Sequence, residues 1–160
     1  MIRNHLIAGL LALGLAGAVP AAAKVSVIQS PSAALARGST FAWAPTPAIG
    51  YGELDRKIAN EVTADRLRAV TEMTLANKGY RQVSDPASAN LIVAYTIVLL
   101  PEADPKMAVT QGTLVLDLIE RDSGRLVLRA TSEKRVTGKD VSQDKLVALL
   151  RQMTKSLPAR

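Results

Sequence analysis

The chain has 160 residues, 48 % of them apolar but only 3 % aromatic, with Lys and Arg exceeding Asp and Glu by 20 to 14, a formal charge of +6 and no cysteine. Its one histidine, His5, lies in the apolar N-terminal segment, so the rest of the chain has neither imidazole nor thiol. That excludes Ser-His-Asp and Cys-His nucleophile systems and the usual zinc, haem and iron–sulfur ligand sets there. The scarcity of aromatic rings for base stacking argues against nucleic acid as a partner.

Residues 1–23 read as a secretory signal: Arg3 in a short polar start, an apolar run from Leu6 to Val19, Pro20, then Ala21, Ala22 and Ala23. The run is shorter than the roughly 17–25 residues a membrane-spanning helix requires, which favours cleavage over an uncleaved anchor. Cleavage is expected after Ala23, leaving Lys24 as the first residue; a cut after Ala18 would change little. Because the chain has no cysteine, the segment is not a lipoprotein signal. A periplasmic or secreted location follows. Removing 23 of 160 residues leaves 137, the size of one domain, carrying 19 Lys and Arg against 14 Asp and Glu because only Arg3 is lost.

Residues 24–29 alternate as an outer strand would, and Ser30-Pro31-Ser32 ends it. After a small-residue connector closing at Gly38, residues 39–43 form a second short strand, halted by Pro45 and Pro47. Phe41 and Trp43, the only Phe and Trp, share parity and belong in the core. Ile49-Gly50-Tyr51-Gly52 reads as a flexible lead-in to a helix. Residues 53–78 contain no proline or internal glycine and predict a long amphipathic helix, with Leu54, Ile58, Val62, Ala69, Val70 and Met73 broadly on one buried stripe; Leu67 and Leu75 lie off it, which calls for a bend or a wider buried face. Glu53 and Asp55 lead this helix and Lys78 closes it before Gly79, in keeping with the macrodipole and the C-terminal glycine signal. Residues 80–83 predict a short strand, and Asp85-Pro86 a turn.

Residues 91–100 are β-branched and apolar at both parities, the pattern of a central strand covered on both faces and stopped by Pro101. The proline-punctuated loop that follows offers Glu102, Asp104 and Lys106 as a candidate contact tip. In residues 112–120, Leu114, Leu116 and Leu118 take one face and Thr113, Val115, Asp117 and Ile119 the other. Asp122-Ser123-Gly124 then reverses the chain into residues 126–131, making a β-meander. Asp140 with Gln143 suggests a capping box for a last helix, whose Leu146, Leu149, Leu150, Met153 and Leu157 recur on one face suited to the sheet. Lys145, Arg151 and Lys155 belong to a basic face that could meet anionic lipid or another acidic partner.

These elements predict an α+β fold: a two-layer sandwich with a mostly antiparallel sheet of five or six strands and two helices on one face. Phe41, Trp43, Tyr95, Leu114, Leu116, Leu149 and Leu150 should contribute to its core. Asp117, Glu120 and Asp122 are the close acidic residues of the meander. Parity separates Asp117 from Glu120 and Asp122 sits at a turn, so a paired acid/base site is not expected, and Ca²⁺ would require more oxygen ligands. Gly50-Tyr51-Gly52 lacks the strand and the third glycine of a phosphate loop.

Thr40-Phe41-Ala42-Trp43, Leu75-Ala76-Asn77-Lys78-Gly79-Tyr80, Ala89-Asn90-Leu91-Ile92-Val93-Ala94-Tyr95, Gly112-Thr113-Leu114-Val115-Leu116-Asp117 and Gly124-Arg125-Leu126-Val127-Leu128-Arg129-Ala130 follow one another in this order. In that succession the chain resembles the bacterial envelope family of domain of unknown function 4136 across almost all of residues 24–160. Similar proteins are commonly lipoproteins with Trp-Arg-Gly near the end of the meander and Ala-Asp-Leu at the start of the central strand. This chain has no lipid-bearing Cys, has Leu128-Arg129-Ala130, and carries Asn90 in place of the acid. The resemblance implies an envelope location and an α+β sandwich, and brings no catalytic residues. The expected function is a non-catalytic module, without cofactor, that binds an envelope protein, a lipid or a peptidoglycan component. A hydrolase or transferase using carboxylates alone, or a protein of anionic membrane surfaces, are the alternatives.

Overall fold

Residues 23–45, 48–51, 61–101, 110–136 and 142–158 are described by the structure, a computed structural model. The signal segment, the loop carrying Glu102, Asp104 and Lys106, and Asp140 lie outside these residues, apart from Ala23 at their edge. The elements are β1 (Lys24–Gln29), β2 (Thr40–Trp43), β3 (Ala48–Tyr51), α1 (Glu61–Asn77), β4 (Arg81–Gln82), β5 (Leu91–Pro101), β6 (Thr110–Glu120), β7 (Leu126–Val136) and α2 (Gln143–Met153).

Strand order is β1-β7-β6-β5-β2-β4, and β3 also pairs with β5. The strands from β1 to β5 in this order pair antiparallel, with β6 turning directly into β7 through Asp122-Ser123-Gly124. β2 and β3 instead run parallel to β5, and β4 parallel to β2. This parallel flank arises because the chain leaves β2 and β3 and returns to β4 and β5 only after α1, and a helical crossover brings a strand back in the same direction. The segment expected as a flexible lead-in is therefore partly strand: Ile49 pairs with Ile97 and Tyr51 with Leu99. β2 reaches only as far as Val93 on β5, and β3 takes up the hydrogen bonding beyond it.

The pleat sorts the meander cleanly. Val93 lies opposite Leu118 and Tyr95 opposite Leu116; Leu118 then lies opposite Leu128 and Leu116 opposite Ala130. All of these are buried, and Phe41, Trp43, Leu67, Val70, Leu75, Leu146, Leu150, Met153 and Leu157 complete one continuous core to which both helices contribute. Leu149, expected in the core, is half-buried at its margin. The opposite face of β5 departs from expectation. Ile92, Ala94, Thr96 and Val98 are only half-buried, because both described helices contribute to the other face and these side chains lie beside cross-strand neighbours such as Ile119.

α1 buries a different stripe from the one its apolar residues suggested. Leu67, Val70, Thr71, Thr74 and Leu75 are buried, whereas Ala69 is exposed and Met73 is 39 % exposed. The two threonines explain the rotation. Thr71 Oγ1 donates to Leu67 O at 2.8 Å and Thr74 Oγ1 to Val70 O at 2.7 Å, so each hydroxyl is satisfied within its own helix and the methyl is free to pack. Leu54 and Ile58 lie outside the described residues. α2 begins at Gln143 with Ser142 as N-cap, and no side-chain cap bond forms, so the expected Asp140–Gln143 capping box is replaced by a start two residues later.

Gly79 ends α1 with φ +87°, and a Cβ there would stand 2.9 Å from Arg37 Cγ. The next residue, Tyr80, is buried and its hydroxyl donates to Leu35 O at 2.6 Å; burial pushes the phenol up to about 12. At the start of β5, Asn90 Oδ1 accepts from both Thr40 N and Thr40 Oγ1 at 2.9 Å. This explains how amide can replace acid here, since only an acceptor is needed. Asn90→Asp is expected to change stability by less than about 0.5 kcal/mol, and Asn90→Ala to cost about 1–3 kcal/mol by stranding the Thr40 N–H, the Thr40 hydroxyl keeping Ser88 O as an acceptor. Urea midpoints of the two variants test this; equal losses would remove the acceptor role.

Candidate functional site

The meander carboxylates are separated as parity required. Asp117, on the open face, accepts from Arg129 through both oxygens, Nε to Oδ1 at 2.8 Å and Nη2 to Oδ2 at 2.7 Å. The pair lies directly cross-strand, and Asp117 raises the Arg129 pKa by hydrogen bonding and then by its charge. Glu120 turns to the other side, where it accepts from Ser32 Oγ at 2.6 Å and Ser123 Oγ at 2.5 Å. The Ser123 and Ser32 hydroxyls, with Arg125 adding its charge, hold Glu120 below the usual carboxylate range. A general acid at neutral pH needs the opposite shift. Asp122 sits at the turn and pairs with Arg121. Among the described residues no group of three or more His, Cys, Asp or Glu could hold a metal ion.

Trp43 is an anchor with internal partners. Its Nε1 donates to Glu72 Oε1 at 2.7 Å, an oxygen that also accepts from Gln82 Nε2 at 3.0 Å. The Arg68 guanidinium carbon stands 4.9 Å from the ring centroid, and Tyr95 meets Trp43 edge-on at 5.9 Å. With its N–H bonded and its ring in contact with Arg68 and Tyr95, the side chain serves packing.

Arg151 and Lys155 come together with residues far away in sequence. Thr74, Asn77 and Lys78 project from one side of the end of α1, at i, i+3 and i+4, and Arg151 and Lys155 from the end of α2, again at i and i+4. They line a cleft of about 220 Å³. Three cations converge there, and among the described residues no carboxylate lines it. Lys78 Nζ is anchored by donating to Leu157 O at 3.2 Å. Cations suit this place locally, because both helices present their C-terminal, partly negative ends to it. Lys145, in the first turn of α2, does not line the cleft, so the basic face expected from sequence divides into Arg151 and Lys155 within it and Lys145 outside. Sequence reasoning took Lys78 for a helix-end residue only; the contact between α1 and α2 that recruits it has no signature within either helix.

The topology and layering define a two-layer α+β sandwich, a helical layer on a mixed sheet with a long antiparallel meander. Residues 25–159 match the family model described as Domain of unknown function (DUF4136), and the chain belongs to that family. Among solved structures it is similar to the PelC dodecamer from Paraburkholderia phytofirmans, at 15 % identity and TM-score 0.56 over 87 % of this chain and 99 % of that one. It is likewise similar to a DUF4136 family protein from Bacteroides thetaiotaomicron, at 12 % identity and TM-score 0.58 over 83 % and 94 %. A PDZ domain protein from Parabacteroides distasonis matches at 11 % identity and TM-score 0.55, over 86 % of this chain and 37 % of that one. At these identities the likeness is one of fold. No curated protein matches the chain in sequence.

Proposed function

We propose that this protein is a periplasmic or secreted envelope module that binds an envelope protein, lipid or peptidoglycan component and does not catalyse a reaction. The observation that carries this reading is the commitment of the meander carboxylates: Asp117 is held by Arg129, and Glu120 by Ser32 and Ser123. The absence of His and Cys beyond residue 23 leaves few other routes to a nucleophile or base. The signal pattern of residues 1–23 supports the location, and β1 beginning at Lys24 means that a cut after Ala23 leaves the sheet whole. No described helix is long and apolar enough to cross a membrane.

The intact mass of the protein recovered from the periplasmic fraction tests the location, and the expected species starts at Lys24. Full-length chain retained in the inner membrane would replace this reading with an anchored module facing the periplasm. Asp117→Asn and Glu120→Gln test the absence of catalysis, because any envelope-linked phenotype of a deletion should be rescued by both variants. A carboxylate enzyme would lose rescue with either.

A further inference from the structure

We propose that the cleft between the ends of α1 and α2 is a binding site for a single phosphate group, with Arg151 and Lys155 as its ligand-contacting cations and Lys78 as the fixed charge at its wall. The proposal deepens the binding reading by naming a ligand class.

The lining sets the ligand's charge. Lys78, Arg151 and Lys155 bring three positive charges to one concavity, and no carboxylate among the described residues lines it to neutralise them. Among the described residues, the acidic groups nearest in sequence on the two helices are Glu72, which is occupied by Trp43 and Gln82, and Asp144, at the far end of α2. Partial charges of about −0.5 at each helix C-terminus do not cancel three full charges, so the cleft keeps an excess that an anion would relieve.

Its size and donors set the ligand's shape. About 220 Å³ is below the roughly 300–1,000 Å³ of sites for drug-sized molecules, so the cleft suits a compact anion and not a sugar polymer. Arg151 supplies a planar fork of donors, and Lys155 a mobile point charge. Asn77, exposed on the α1 side, adds an amide donor. Thr74 is already committed to Val70 O and shapes the floor. Such a donor set, converging from two helices, matches the oxygens of a tetrahedral phosphate better than a flat carboxylate. The group could come from a soluble phosphate monoester or from the headgroup of an anionic lipid.

The test uses the protein as purified from expressing cells, so it does not depend on the compartment or on the absence of catalysis. Titration with inorganic phosphate and with glycerol 3-phosphate, followed by NMR shifts or calorimetry against potassium chloride of equal ionic strength, reads the soluble arm. Co-sedimentation with phosphatidylglycerol vesicles, against phosphatidylcholine vesicles, reads the lipid arm. Saturable binding is expected in at least one arm, weakened roughly 5–20-fold in an R151Q/K155Q variant, two exposed charge contacts contributing a few-fold each. It should fall as salt rises and be unchanged in K145Q. Both substituted residues are exposed, and circular dichroism of the double variant checks that the fold is kept. Absence of saturable binding in both arms would overturn the proposal, as would binding that the double variant retains in full.

Discussion

Phe41→Ala is expected to destabilise the protein by about 3–5 kcal/mol, read as a shift in the denaturant midpoint at unchanged slope. The only phenylalanine of the chain is 1 % exposed and lies on β2 between β4 and β5, in register with Gln82 and Leu91. Its ring occupies the part of the core where the parallel flank joins the meander, close to Trp43 on the same face. Truncation would remove the transfer energy of the ring and leave a cavity that neighbouring strands, fixed by their hydrogen bonds, could not close. Total stabilities of such domains are about 5–15 kcal/mol, and here no disulfide contributes. The variant should therefore be marginal at 37 °C, while Phe41→Leu, which keeps most of the volume, should lose less than half as much. A loss below about 1 kcal/mol for Phe41→Ala would mean that the ring is not packed as described.

Leu67→Ala is expected to cost about 2–5 kcal/mol, and Met73→Ala less than about 0.5 kcal/mol. Apolar periodicity alone predicts the reverse order. Leu67 is 2 % exposed and Met73 39 % exposed, so the difference tests which way α1 is rotated against the sheet. Thr71→Val sharpens the experiment. Its hydroxyl is satisfied by the Leu67 carbonyl within the same helix, so exchange for a methyl of similar size should be close to neutral or stabilising. A Met73→Ala loss equal to that of Leu67→Ala would restore the stripe read from sequence.

The meander was legible because its pattern is local. Leu114, Leu116 and Leu118 alternate with Thr113, Val115 and Asp117, and a one-residue slip would have moved every leucine from the core to the half-buried face. Gly79 and Gly124 both take positive φ at the ends where their neighbours called for it. α1 was misread for an equally local reason: a threonine whose hydroxyl is satisfied by its own helix packs as an apolar residue while reading as a polar one. β3 was missed because its partner is an open stretch of β5, a vacancy left by the shortness of β2 and invisible in residues 48–51 themselves.

By itself, the amino-acid order determined the α+β class, the faces of the meander strands, the separation of Asp117 from Glu120 and the lack of imidazole and thiol chemistry beyond the first 23 residues. These follow from composition and from periods of two residues, which neighbours along the chain establish. The tertiary structure alone decided the parallel flank, the rotation of α1, the open second face of β5 and the meeting of Lys78 with Arg151 and Lys155. Each of these depends on how elements distant in sequence pack, and a side chain's partner across two helices is set by the register of their contact, which no single stretch of sequence encodes.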